Sequence, residues 1–308
     1  MSAVDAVLLV AFGGPERPED IRPFLQIVTE GRRVPPQRLD EVVHHYEAIG
    51  GRSPLNALTR RQADALHGAL AAEGRSLPVW VGMRNWHPFL HETLAEMKDR
   101  GIRRALGIIL SSLPTEASWD RYMEDVAAAR EKVGPDAPEV VYAPAWGHHP
   151  LFIEAMADHA RAALARVDPA RRSGARLVFT AHSVPVAMAA QSPYAEHLAL
   201  GARLVAARLG ASGWSLAYQS RSGSPREPWL EPAVPAATRR RPAEGAGDVV
   251  VVPIGFVCDH VEVLYDLDLE ARAVAASCGI GFHRAAAAND HPAFVAMLAD
   301  LVRRGAPA

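Results

Sequence analysis

The chain reads as a doubly wound α/β protein built in two similar halves, with an active-site cleft between them. Three observations predict this. Short runs rich in Val, Ile and Leu alternate with longer helical patterns along all 308 residues. The short runs lack the polar alternation of a half-exposed strand, which suits parallel strands buried on both faces. A helical segment from Leu151 to Arg166, followed by the polar stretch Asp168–Gly174, interrupts the alternation near residue 150.

In order, the predicted strands are Val7–Phe12, Val79–Met83, Ala105–Leu110, Val140–Ala143, Leu177–Ala181, Ser215–Tyr218 and Val249–Pro253. Between them the 3.6-residue pattern predicts helices at about Pro18–Val28, Pro36–Ile49, Ala57–Glu73, Pro88–Arg100, Trp119–Lys132, Leu151–Arg166, Tyr194–Leu209 and Asp259–Ser277. Residues 1–150 form the expected first domain and 151–290 the second. A closing helix in 291–308 is expected to pack back on the first. Pro225–Pro242, rich in Pro and Arg, reads as a surface excursion.

Composition excludes several classes. A net charge of −2 gives no electrostatic case for nucleic acid or an anionic membrane. Two cysteines can neither staple a secreted fold nor supply four thiolates to an iron–sulfur cluster. No apolar run reaches the roughly 20 residues of a membrane-spanning helix, and the N-terminus carries Asp5 with no basic region. A cytoplasmic protein without membrane insertion is expected. Among 33 basic residues only Lys98 and Lys132 are lysine, so anionic ligands would mostly meet arginine's planar fork.

Ligands of parallel α/β sheets sit beyond the carboxyl ends of strands. That rule selects Gly13–Pro18, Arg84–Pro88, Ser111–Ser118, His182–Pro185 and Gly255–His260. Gly13 and Gly14 follow a strand, but neither GxGxxG nor GxxxxGK[ST] is present, so a tight turn explains them better than a nucleotide. His182 emerges from a strand end in FTAHSVP. Alone it could be a histidine bonded to loop backbone. Glu262 also lies just past a strand, and imidazole with carboxylate is a suitable pair for a divalent metal or for accepting protons.

Glu262, Asp266 and Glu270 fall at i, i+4 and i+8, which in α geometry aligns three carboxylates on one side of a helix. Asp259 and Glu262 have capping-box spacing, with Asp259 as N-cap. Spacing alone leaves a solvated face and a cation-handling face both open. His44–His45 and His148–His149 show no zinc spacing. Ser183 has no nucleophile elbow, and Cys258 has no sign of activation.

Five segments resemble the ferrochelatases, which insert ferrous iron into porphyrins. They are LLVAFGGPERPEDIRPFL from Leu8, HHYEAIGGRSPLN at His44–Asn56, TAHSVP at Thr180–Pro185, YQSRSGSPREPWLEP at Tyr218–Pro232 and VPIGFVCDHVEVLYDLDLEA at Val252–Ala271. The resemblance spans almost the whole chain. It implies two Rossmann-like, chelatase-type domains around a porphyrin cleft. By the same resemblance, His182 and Glu262 bind Fe(II) and take the pyrrole protons, while Asp266 and Glu270 carry or hold a second divalent cation. Phe12, His45, Tyr46, Ser53 and Tyr122 match tetrapyrrole-contacting positions, and Trp229 matches a tryptophan without an assignable role. Arg32, with Arg33, stands in for a basic residue that some relatives carry where this chain has Thr29.

Where several coproporphyrin-using relatives place tyrosine, this chain has Phe12, which cannot ligate iron. No [2Fe–2S] cluster and no permanently bound cofactor are expected. The lack of hydrophobic extensions points to a monomer of the soluble bacterial type. The expected activity is Fe(II) insertion, with coproporphyrin III favoured over protoporphyrin IX. Two rival readings are a chelatase for another metal such as cobalt, and a non-catalytic porphyrin or haem carrier.

Overall fold

Every residue of strand β1 (Ala6–Ala11) is buried, and none carries a polar side chain, as a central parallel strand requires. It belongs to a computed structural model that describes residues 4–31, 34–222 and 226–305. With β2 (Val79–Met83), β3 (Arg104–Ile109) and β4 (Glu139–Tyr142) it forms a parallel sheet in the order β2-β1-β3-β4. A second parallel sheet contains β5 (Arg176–His182), β6 (Trp214–Gln219), β7 (Asp248–Val252) and β8 (Gly281–Arg284), ordered β6-β5-β7-β8. The two sheets share one topology. The first strand of each lies inside, the second lies on one side of it and the third on the other.

The chain divides into two compact units. One holds the residues up to Ser111, Glu116–Ala145 and, from Asn289 on, the terminal helix. The other holds Ser112–Thr115 and Trp146–Ala288. In the first unit the terminal helix, Pro292–Gly305, packs on the helix Leu55–Ala72. Arg303 pairs with Glu73 at 2.7 Å, and Gln62 Nε2 donates to the Asn289 carbonyl at 2.7 Å. In the second unit Trp146 is 2 % exposed and meets Phe152 edge-on. No described helix is long and apolar enough to cross a membrane.

Strand β8 was not expected. Its sequence GFHR carries one apolar residue, and it pairs only with β7 at the sheet edge. Pairing to a preformed neighbour, not intrinsic pattern, makes it a strand. The segment read as a surface excursion also differs. It contains a helix, Val234–Arg240, that buries Val234, Ala237 and Thr238 against the second sheet's core. Pro225 itself lies outside the described residues.

Gly255 fixes how closely the loop after β7 lies on β5. A methyl group there would stand 2.4 Å from Ala181 Cβ and 2.7 Å from its Cα, while the Gly255 amide donates to the Thr180 carbonyl at 3.0 Å. The obstacle is backbone and the first side-chain carbon, so it cannot swing away. Gly255→Ala is expected to lower unfolding free energy by about 1–3 kcal/mol, the usual cost of forced overpacking. A urea midpoint equal to wild type would contradict this.

Candidate active site

In the second sheet the chain passes from β5 to β6 on one side and then crosses to β7 on the other. The strand order therefore reverses between β5 and β7, where an open α/β sheet leaves a crevice at its carboxyl edge. His182 is the last residue of β5, and Glu262 opens the helix that follows β7. The topology brings both to one crevice although 80 residues separate them.

His182 Nε2 stands 3.6 Å from Glu262 Oε1, and each side chain is 34 % exposed. The other ring nitrogen, Nδ1, lies against the Ser183 carbonyl. A carbonyl oxygen only accepts, so this contact assigns a proton to Nδ1, and in the neutral ring the Nε2 lone pair then faces the carboxylate. At 3.6 Å these two acceptors are not hydrogen-bonded. Both can, however, reach a single first-row divalent ion at the about 2.0–2.2 Å typical of imidazole and carboxylate ligands.

Backbone contacts hold the pair in place. Tyr194 donates its hydroxyl to the His182 carbonyl at 2.7 Å, and burial, with Tyr218 and Glu262 nearby, keeps that phenol protonated well above its ordinary range. Gln219, at the end of β6, donates from Nε2 to the Glu262 carbonyl at 2.6 Å, while its own carbonyl accepts from the Ser183 amide at 2.7 Å. Gln219 thus ties both halves of the pair to one strand end.

The acidic helix departs from expectation in two ways. Its N-cap is His260, whose Nδ1 accepts from the Glu262 amide at 3.2 Å, rather than Asp259. Burial pushes the His260 imidazole down, despite the opposing charges of Glu262 and Asp259, and so favours the neutral form that a capping acceptor needs. Asp259 instead pairs with Arg284 at 2.9 Å and accepts from the Ala287 amide at 3.3 Å. The same guanidinium holds Asp268 at 2.9 Å. Its strand, β8, was the one the sequence pattern did not reveal, so neither pairing could be foreseen.

Second, Leu264–Ala271 is a π-helix with i→i+5 hydrogen bonding, not the expected α-helix. Four residues over-run an α turn and fall just short of the wider π turn, so the acid row stays on one side in either geometry. Val263, Leu267, Ala271 and Ala275 form the neighbouring row and are buried in the core. The acids follow one position off that stripe, at its shoulder. Asp266 Oδ2 accepts from Ser220 Oγ at 2.5 Å, whereas Glu270 is exposed. Among the described residues no three His, Cys, Asp or Glu side chains gather closely enough to hold an ion. The structure therefore joins His182 with Glu262 and does not bring Asp266 and Glu270 into the same group.

The first unit holds the other expected residues. Phe12 is 38 % exposed at the end of β1, its ring edge-on to Phe24 at 6.4 Å. Tyr46 is buried and also meets Phe24 edge-on, 6.2 Å between ring centroids. Burial, then the nearby Arg38 charge, lowers the pKa of half-buried His45. Ser53 is buried beneath the first loop, its amide donating to the Pro15 carbonyl at 2.8 Å. Tyr122 lies in the core with the Arg84 guanidinium 4.4 Å above its ring. In the second unit, Trp229 forms an antiparallel bridge with Pro185. Arg32 and Arg33 fall outside the described residues.

Sequence reasoning passed over Arg84 as an individual residue. It bridges the Phe12 and Tyr122 rings and pairs with Asp125. It had a signal, being the first residue of a loop beyond a strand's carboxyl end.

The ferrochelatase family model matches residues 4–306. The chain belongs to the ferrochelatase family. A coproporphyrin III ferrochelatase of Nocardia farcinica is 47% identical over 98% of this chain and 88% of its own length. A coproporphyrin III ferrochelatase of Mycobacterium avium is 48% identical over 97% of this chain and 87% of its own. Among solved structures, SirB from Bacillus subtilis with Fe3+ superposes with a TM-score of 0.59 at 13% identity, covering 98% of this chain and 95% of that one. At that identity the likeness establishes the ferrochelatase's chelatase fold alone.

Proposed function

We propose that this ferrochelatase inserts Fe(II) into coproporphyrin III, with His182 and Glu262 as the catalytic pair. The observation that carries the reading is the placement of His182 Nε2 3.6 Å from a carboxylate oxygen of Glu262. Fe(II) is a substrate here, taken by Nε2 and Oε1. As iron moves onto the macrocycle its new bonds go to the ring nitrogens, and two pyrrole protons must leave. An imidazole whose Nε2 is unprotonated accepts one, and the adjacent anion stabilises the imidazolium so formed. The second proton has Glu262 as its nearest acceptor.

Asp266 and Glu270, one helical turn apart beyond Glu262, are proposed to hold or deliver a further divalent cation. Phe12, His45, Tyr46, Ser53, Tyr122 and Arg32 are proposed to position the porphyrin. Phe12 would act through its exposed apolar ring and leave the iron without a ligand from that residue. Two cysteines cannot supply the four thiolates of an all-cysteine cluster, which supports an enzyme without a resident iron–sulfur cofactor. A cytoplasmic monomer completes the proposal.

The names of relatives at 47 and 48% identity support coproporphyrin III as the porphyrin. Anaerobic Fe(II) insertion should show kcat/KM for coproporphyrin III at least about tenfold above that for protoporphyrin IX, a modest specificity ratio. Equal values, or a preference for protoporphyrin IX, would overturn the choice of substrate.

A further inference from the structure

The first unit contains a cavity of about 580 Å3 at the carboxyl ends of β1 and β2. Part of its wall is apolar, including Phe12, Ile27 and Phe89. Another part is cationic, formed by Arg84, Arg121 and Lys132. These cations are not equivalent. Arg84 is committed to the Asp125 carboxylate. Arg121 meets Glu124 only at 3.8 Å, with both side chains more than half exposed. Lys132 has no carboxylate within ion-pair distance among the described residues, and its ammonium lies 2.9 Å from His91 Nε2.

Burial first, then the Lys132 charge, pushes the His91 imidazole below its ordinary range, which keeps it neutral. The pair therefore carries one positive charge at the exposed end of the cavity, with Glu92 near His91 but no carboxylate in direct contact with the ammonium among the described residues. An ammonium has three donors, of which one serves His91 and two remain for another acceptor. Lysine is used only twice in a chain dominated by arginine. The same cavity, whose lining also includes Glu30 and Asp125, begins at Phe12, the apolar contact proposed for the macrocycle, and reaches Lys132.

We propose that Lys132, steadied by His91 and joined by Arg121, is a carboxylate-binding subsite that takes a propionate of the bound porphyrin. It would favour coproporphyrin III, which carries a propionate on every ring, over a porphyrin with vinyl groups in some of those places. This rests on the reading that the chain binds coproporphyrin III. Lys132 is a binding residue in this account, and His91 a positioning residue that acts through it.

The test is fluorescence titration of the full chain with metal-free coproporphyrin III and with protoporphyrin IX. Lys132→Met should weaken coproporphyrin III binding about tenfold, as expected for one charge-assisted hydrogen bond. The Kd ratio between the two porphyrins should shift by a similar factor, and Lys132→Arg should recover most of it. A ratio equal to wild type in Lys132→Met overturns the subsite. Equal weakening of both porphyrins also overturns it, since a purely structural role would produce that result. Wild-type chain that binds coproporphyrin III but inserts no iron would refute the enzymatic reading, and the Kd ratio would still decide the subsite.

Discussion

His182→Ala and Glu262→Gln are each expected to cut iron insertion by about a hundredfold to ten-thousandfold, the range for removing a positioned proton acceptor. Porphyrin binding should remain measurable in both, because neither change disturbs the first unit. Glu262→Gln keeps the backbone carbonyl that Gln219 holds at 2.6 Å and the amide that His260 caps at 3.2 Å, so the helix start should stay in place. His182→Ala likewise keeps the carbonyl that receives the Tyr194 hydroxyl. Anaerobic insertion assays, paired with fluorescence quenching by bound porphyrin, separate chemistry from binding. Turnover close to wild type in either variant would remove that residue from the mechanism. A combined variant should be little worse than the poorer single one, since groups acting as a unit are not additive.

The largest stability effect is expected at Arg284. Its guanidinium is 14 % exposed and bridges Asp259 and Asp268, themselves 16 % and 25 % exposed. Removing the shared cation takes from Asp259 its guanidinium partner and leaves Asp268 with only the half-exposed Arg272 at 3.3 Å. Arg284→Met should lower unfolding free energy by about 3 kcal/mol, near the lower end for a broken buried pair. Lysine cannot bridge both acids with one fork, so Arg284→Lys should recover only part. Adding Asp259→Asn and Asp268→Asn to Arg284→Met should restore some of the loss by removing the stranded charge. Denaturant unfolding reads all of these. A loss under about 1 kcal/mol for Arg284→Met would show that water already screens the cluster. Asp259 precedes the helix bearing Glu262 and Asp268 lies in its π segment, so iron insertion should fall along with stability.

Much of this was legible in the sequence, for identifiable reasons. Seven strands announced themselves through short apolar runs, most cleanly where a parallel strand is buried throughout, as in Ala6–Ala11 and Asp248–Val252. The eighth, Gly281–Arg284, did not, because its stability comes from β7 and not from its own composition. His182 and Glu262 could be read as a pair because both follow strands, and the rule about strand ends needs only the alternation to be right. The π segment was hidden because the same i, i+4, i+8 acid spacing serves both helix types. Asp259 and Asp268 were hidden behind a partner, Arg284, that sits on the unrecognised strand. The roles suggested for Tyr46, Ser53 and Tyr122 came from resemblance. Their burial is a matter of tertiary packing that local pattern does not report.

The return of the terminal helix to the first unit has a consequence for biosynthesis. The chain begins one unit, leaves it to build nearly all of another between Trp146 and Ala288, and only then supplies the helix Pro292–Gly305. That helix buries Phe294, Met297, Leu298 and Leu301, so the face it covers stays bare until the helix itself has emerged from the ribosome. The unit bearing His182 and Glu262 has all its strands available earlier. The order of emergence thus runs opposite to the order of the sequence: the half that starts first is finished last.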